Sequence, residues 1–184
     1  MSKNSKKETN EAFRLAMRRF ASTISIITTT QKDNFYGMAA TAVTSLSFEP
    51  LSILVAINSS ASLHNPLLES KIFCINILKT DQTHQCEIFS SQDLRSKRFK
   101  EGPWKSGHLG LPFLEGTQAN IFCSVSDSIN AGSHTAFIGL VEEVHIDELV
   151  DPLVYLDGKF VKQLDSLKSS SEAPASLEGI DWLW

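Results

Sequence analysis

Apolar positions recur at helical spacing near the start of the chain. Phe13, Ala16, Met17 and Phe20 fall on one face of residues 11–20, which predicts a helix with Asn10 as its N-cap. From residue 21 the pattern changes. Residues 21–30 (ASTISIITTT) are rich in β-branched side chains and read as a strand. Lys32, Asp33 and Asn34 supply turn chemistry, so residues 36–50 return as the second arm of a hairpin. Residues 51–57 (LSILVAI) are almost continuously apolar over one strand length, which implies burial on both faces. A hydroxyl-rich loop, 58–62, precedes a helix over 63–70, a strand over 72–78 and a helix over 81–91. Residues 92–112 are charged, then rich in Gly and Pro, and predict a long surface loop. The longest strands are expected at 119–129 and 135–146, joined by residues 130–133. A last hairpin turns at Asp157-Gly158, a strong two-residue turn signal.

Many short strands with few helices favour an antiparallel barrel over a parallel sheet. One domain is expected over residues 11–162. A lysine-rich polar stretch, 1–10, reads as a disordered arm. Residues 163–184 shift to Ser, Ala, Glu and Pro and form a tail, whose closing DWLW docks on the body or on a partner.

Within this frame residues 36–50, YGMAATAVTSLSFEP, depart from a core strand. They open on Gly37 and run through small and hydroxylated side chains where large ones would be expected. Small side chains leave main-chain N–H and C=O groups accessible to a flat or anionic ligand, and a glycine there marks close approach by a ligand or another backbone. A tightly packed strand with a turn is the alternative. The loop 58–62 offers serine hydroxyls and free N–H groups ahead of a helix, a combination that suits a phosphate; taken alone, the loop is more simply an ordinary serine N-cap. The turn 131–135 places His134 at the start of a strand, either against a ligand or simply in solvent.

Composition removes several other functions. A net charge of −4 argues against nucleic acid, which calls for a basic patch. No apolar run approaches the ~18 residues that span a bilayer. Cys74, Cys86 and Cys123 lack metal-type spacing, and with a polar start they fit a reducing cytoplasm. The histidines show no zinc pattern, and the fingerprints of dinucleotide folds, P-loops and serine hydrolases are missing.

Several stretches together resemble the short-chain flavin reductase family, the reductase components of two-component flavin monooxygenases. They are FRxAMRxFAS from Phe13, GMAATAVTSLSFEP from Gly37, INSSASLH from Ile57, FCINIL from Phe73 and GSHTAFIG from Gly132, in the family's order and spacing. The resemblance covers residues 10–162. It implies a mainly β fold with flanking helices, a Greek-key split β-barrel of the FMN-binding type, working as a homodimer. It also implies FMN or FAD as the flavin, NADH or NADPH as the hydride donor, and an oxygenase that receives the reduced flavin.

Carried onto this chain, Thr41, Ala42, Val43, Thr44, Ser45 and Ser47 would contact the flavin ring and ribityl chain, largely through main-chain groups. Asn58, Ser60 and Ser62 would hold the phosphate end, and His134 would line the nicotinamide side as the catalytic candidate. Phe99 is a further candidate for that face. No metal is implied. The chain departs from the family pattern at Ala39, Ser59 and Ser133, where a hydroxyl, a basic and an acidic residue are usual. The alternatives are a split-barrel carrier or sensor of flavin or heme without nicotinamide turnover, and an oxidase of the pyridoxamine-phosphate type. The latter would be expected to bring more basic residues to the cleft.

Overall fold

The computed structural model describes residues 3–161; the DWLW tail lies outside them. Helix α1 (Lys3–Met17) begins earlier than the sequence predicts. The expected arm forms its first turns, and Asn10 lies inside the helix instead of capping it. Its apolar row reaches no core, because Phe13, Met17 and the following Phe20 are exposed. Arg18 ties its end to the body through an ion pair with Asp157 at 3.1 Å.

The β-branched run divides at Ile24 into β1 (Ser22–Thr23) and β2 (Ser25–Gln31). Lys32 and Asp33 turn the chain with φ of 49° and 61°, and it returns as β3 (Asn34–Ala40). After only Thr41 and Ala42 comes β4 (Val43–Phe48), then a turn through a cis Glu49–Pro50 bond and β5 (Leu51–Asn58). Helix α2 (His64–Ser70), strand β6 (Ile72–Ile77) and helix α3 (Thr83–Ser90) follow. The segment expected as a surface loop does run along the surface, but Leu94, Phe99 and Trp104 pack inward against a buried cluster around Ile88 and Phe89. It contains β7 (Trp104–Ser106), paired with β8 (Pro112–Leu114), and its Leu111 is fully buried. Its apolar residues follow no single period, which hides them from pattern reading. Strands β9 (Ala119–Ala131) and β10 (His134–Ile146) form the longest hairpin, and β11 (Val154–Leu156) and β12 (Lys159–Val161) the last.

The main sheet has seven strands in the order β3-β2-β6-β9-β10-β5-β4, each pair antiparallel. Consecutive strands β3 and β4 therefore occupy opposite edges. The step from Ala40 to Val43 spans at most ~11 Å of extended chain, so the sheet must curl until its edges approach. They do not pair with each other, and the gap between them is the split of the barrel. Ile27, Val55, Ile57, Phe73, Ile75 and Phe137 fill one buried cluster. A second cluster, with Ile26, Leu78, Ile88 and Phe89, packs α3 on the outside of β2 and β3.

Candidate active site

Residues 36–50 are not one strand but the two lips of the split, with Thr41 and Ala42 as the hinge between them. β3 and β4 each pair on one side only, so they present edge groups toward the split, although the Gly37 carbonyl is taken by Arg98 and the Val43 N–H by the Thr41 carbonyl. A cavity of about 420 Å³ opens beside Thr41, walled by Ala39, Ala40, Cys86, Tyr155 and Phe160. The small side chains on β3 create that room. Burial pushes the Cys86 thiol up, which makes it a neutral wall and not a nucleophile.

Along β4, Val43 is half-buried and Thr44 and Ser45 are exposed. Ser47 is engaged elsewhere: its hydroxyl donates to the Glu49 carbonyl and accepts the Glu49 N–H in the β4–β5 turn. The close approach expected at Gly37 is made by the protein itself. A Cβ there would lie 2.6 Å from the Phe89 ring and 3.1 Å from that of Phe99.

The two loops singled out in the sequence meet at one corner. His134 lies opposite Asn58 in the β10–β5 register. The Ser59 N–H and hydroxyl both donate to the Ser133 carbonyl, at 2.9 and 3.1 Å. Asn58 Oδ1 accepts the Ser60 N–H and hydroxyl at 2.9 and 2.8 Å, so the loop closes on itself. The N-cap explanation for these serines fails, since no side chain caps α2. Ser133 Oγ sits 2.9 Å from His134 Nδ1, and the imidazole is exposed.

Ser62 lies in a second cavity of about 340 Å³, together with Phe35, Tyr36, Phe99, Arg95 and Lys100. Phe99 therefore shares space with the serine loop and the cations, while His134 is absent from that lining. Phe99 holds a left-handed φ of 62° and packs in an aromatic cluster, with ring centroids 5.2 Å from Phe89 and 4.9 Å from Trp104.

Sequence reasoning missed the cations here. Position 59 is serine where the family pattern is basic, so the sequence alone implies a shortage of cations near the cleft. The fold supplies Arg95 and Lys100 from a segment more than thirty residues away. Neither pairs with an acidic group among the described residues, unlike Lys97, which meets Glu101 at 3.3 Å.

Arg98 makes this arrangement possible. Its guanidinium donates to the carbonyls of Gly37, Ile88, Phe89 and Ser91, at 2.8 to 3.2 Å. The donors satisfy carbonyls at the C-terminal end of α3, where the helix leaves them unpaired and its dipole favours a cation. Arg98 thus fastens the 95–100 segment to both α3 and β3. Among the described residues no cluster of His, Cys, Asp or Glu is placed to hold a metal ion.

Comparison with known proteins agrees with this architecture. Residues 17–163 match the family model described as a flavin reductase like domain. The reductase component of an FADH(2)-dependent resorcinol hydroxylase from Rhizobium sp. (strain MTP-10005) is 37% identical over 150 residues, covering 80% of this chain and 84% of the relative. An FMN reductase (NADH), RutF, from Pseudomonas syringae pv. syringae (strain B728a) is 32% identical over 149 residues, covering 81% and 84%. The structure of flavin reductase PheA2 in its native state superposes with a TM-score of 0.76 at 33% identity, over 84% of this chain and 97% of that one.

Proposed function

The chain belongs to the flavin reductase like family, and from that premise we propose that it is an NADH-dependent flavin reductase supplying reduced flavin to a partner monooxygenase. The observation that carries this reading is the corner where the serine loop and His134 meet beside the barrel split. A flavin fits the surroundings: a small-residue mouth for a flat ring, the Ser62 hydroxyl and cations without an acidic partner among the described residues for a phosphate, and cavities along β3.

Hydride transfer is the chemistry of flavin and nicotinamide once both are bound; the chain binds, orients and shields them. In this assignment the main chain of Thr41–Ser45, at the edge of the sheet, holds the ring and would offer its N–H groups to developing negative charge, except that of Val43, which the Thr41 carbonyl takes. Ser62, with Arg95 and Lys100, holds the phosphate end, while Ser60, whose N–H and hydroxyl both donate to Asn58 Oδ1, shapes the loop that carries it. His134 flanks the nicotinamide. Phe99 belongs to the phosphate side of the site. The carrier or sensor reading lacks support from the relatives, which are named reductases. The pyridoxamine-phosphate type can no longer be set aside for want of basic residues; the family match sets it aside instead.

A second copy of the chain is the proposed neighbour. Exposed apolar side chains on α1 (Phe13, Met17) and around the β4–β5 turn (Leu46, Phe48, Leu51) provide surfaces for a homodimer.

Flavin-dependent loss of nicotinamide absorbance tests the activity: oxidation of NADH only when FMN or FAD is added supports the assignment, and flavin binding without NADH consumption contradicts it. Ser62→Ala is expected to weaken FMN about tenfold, the worth of one hydrogen bond to a charged acceptor, and to leave riboflavin unchanged. Titrations by flavin fluorescence read both, and equal losses would remove Ser62 from the phosphate end. His134→Ala is expected to raise the KM for NADH with no matching loss of flavin affinity; parallel changes in both would take His134 out of the nicotinamide site.

A further inference from the structure

The loop 58–63 is anchored to the start of β10 at both of its ends. At its beginning Ser59 donates twice to the Ser133 carbonyl. At its end His64, the first residue of α2, places Nε2 2.8 Å from the Thr135 hydroxyl. Both partners of this second anchor are buried, His64 at 8% and Thr135 at 1% exposure. Their bond crosses from the helix to the sheet over a sequence separation of 71 residues.

The surroundings fix both partners. His64 Nδ1 lies 3.1 Å from Asn65 Oδ1, and its ring meets Phe137 edge-on at a centroid distance of 5.9 Å. The Thr135 hydroxyl also donates to Asn130 Oδ1 at 3.0 Å, which ties it across the β9–β10 hairpin. With that proton committed, Thr135 accepts from Nε2–H of His64; the neutral ring then has a lone pair at Nδ1, so the Asn65 Oδ1 approach is a packing contact and not a second hydrogen bond.

His134 sits between the two anchors. A shift of the loop must therefore move residues 133–135, and a shift of the turn must move the loop. Resting on the reading of the preceding subsection, we infer that His64 and Thr135 are positioning residues that hold the flavin-phosphate loop and His134 as one rigid unit. Flavin affinity and nicotinamide use then depend on the same buried bond. Neither residue touches a ligand in this assignment.

Thr135→Val keeps the shape and the β-branched fit to the strand and removes the hydroxyl. The expected result is a rise of about fivefold in both the Kd for FMN, by fluorescence, and the KM for NADH, the equivalent of one neutral buried hydrogen bond. Thr135→Ser, which keeps the hydroxyl, should return both toward the wild type. A general loss of packing would not show this rescue alongside an unchanged Kd for riboflavin. Unchanged Kd and KM in Thr135→Val, or a change in only one of them, overturns the inference. Should the valine variant fail to fold, His64→Leu, which removes the Nε2 donor, carries the same expectation. If wild-type protein binds FMN but does not oxidise NADH, the reductase reading fails by itself, and the FMN arm still reports on the anchor.

Discussion

Arg98→Met is expected to destabilise the protein by roughly 3 kcal/mol and to weaken FMN binding at least tenfold. The side chain is of similar length, so packing against the Phe89 ring is largely kept; the guanidinium carbon lies 5.5 Å from that ring's centre. What is lost is the set of donors to Gly37, Ile88, Phe89 and Ser91. Charged donors are worth about 1.5–3 kcal/mol each in isolation, but the bonds share one group and do not add. Burial already lowers the Arg98 pKa, which shows the protein holding the cation against a desolvation cost. The functional part follows from connectivity: without Arg98 the 95–100 segment, with Arg95, Phe99 and Lys100, is no longer fastened to β3. Thermal unfolding should show a Tm lower by about 6–12 °C. An Arg98→Met protein with wild-type Tm and FMN affinity would mean that the segment is held by its aromatic contacts alone.

Asn76→Leu is expected to cost about 3 kcal/mol or more. Asn76 lies in β6 with no exposure. Its amide donates to the Ile26 carbonyl at 2.9 Å, and Oδ1 accepts the Leu114 N–H at 2.8 Å and the Asn120 amide at 2.9 Å. Leucine has nearly the same shape and greater hydrophobicity, yet it would leave a buried N–H, a buried amide and a buried carbonyl without this partner. Each unsatisfied group costs about 1–3 kcal/mol, more than the apolar gain returns. Denaturant unfolding measures it: a midpoint equal to wild type would show that the neighbours find other partners. Asn76 joins β2, β6, β8 and β9, so the damage should spread through the sheet rather than stay local.

These two residues also mark the limit of what the chain discloses unaided. The strand containing Asn76 is legible in its apolar run, but not the fact that one amide serves three elements, because the Leu114 and Asn120 partners lie 38 and 44 residues away. Hairpins with local signals are read correctly. Lys32-Asp33 and Asp157-Gly158 adopt the positive φ values their turns require. Strands β5, β6, β9 and β10 fall where their apolar runs lie, and even the split follows once β3 and β4 are seen at opposite edges.

The misreadings share one physical cause. Helix α1 is lysine-rich and polar over its first turns, and its length owes nothing to apolar periodicity. The segment 92–112 lies at the surface as its composition implies, but its anchors Leu94, Phe99, Trp104 and Leu111 obey no period, so their inward packing is not legible in the sequence. The candidate site divides in the same way. The serine loop and the histidine turn are visible as separate stretches, while their junction exists only in the β5–β10 register. Arg95 and Lys100 read as an ordinary charged surface until the fold carries them to Ser62.

The most direct test of the account is anaerobic rapid mixing of the protein and FMN with one equivalent of NADH, followed at the flavin absorbance band. The account predicts bleaching of the flavin in step with nicotinamide oxidation, one for one, at a rate that depends on the protein and is slowed by His134→Ala. Flavin that stays oxidised while bound to the protein, with NADH intact, would contradict it.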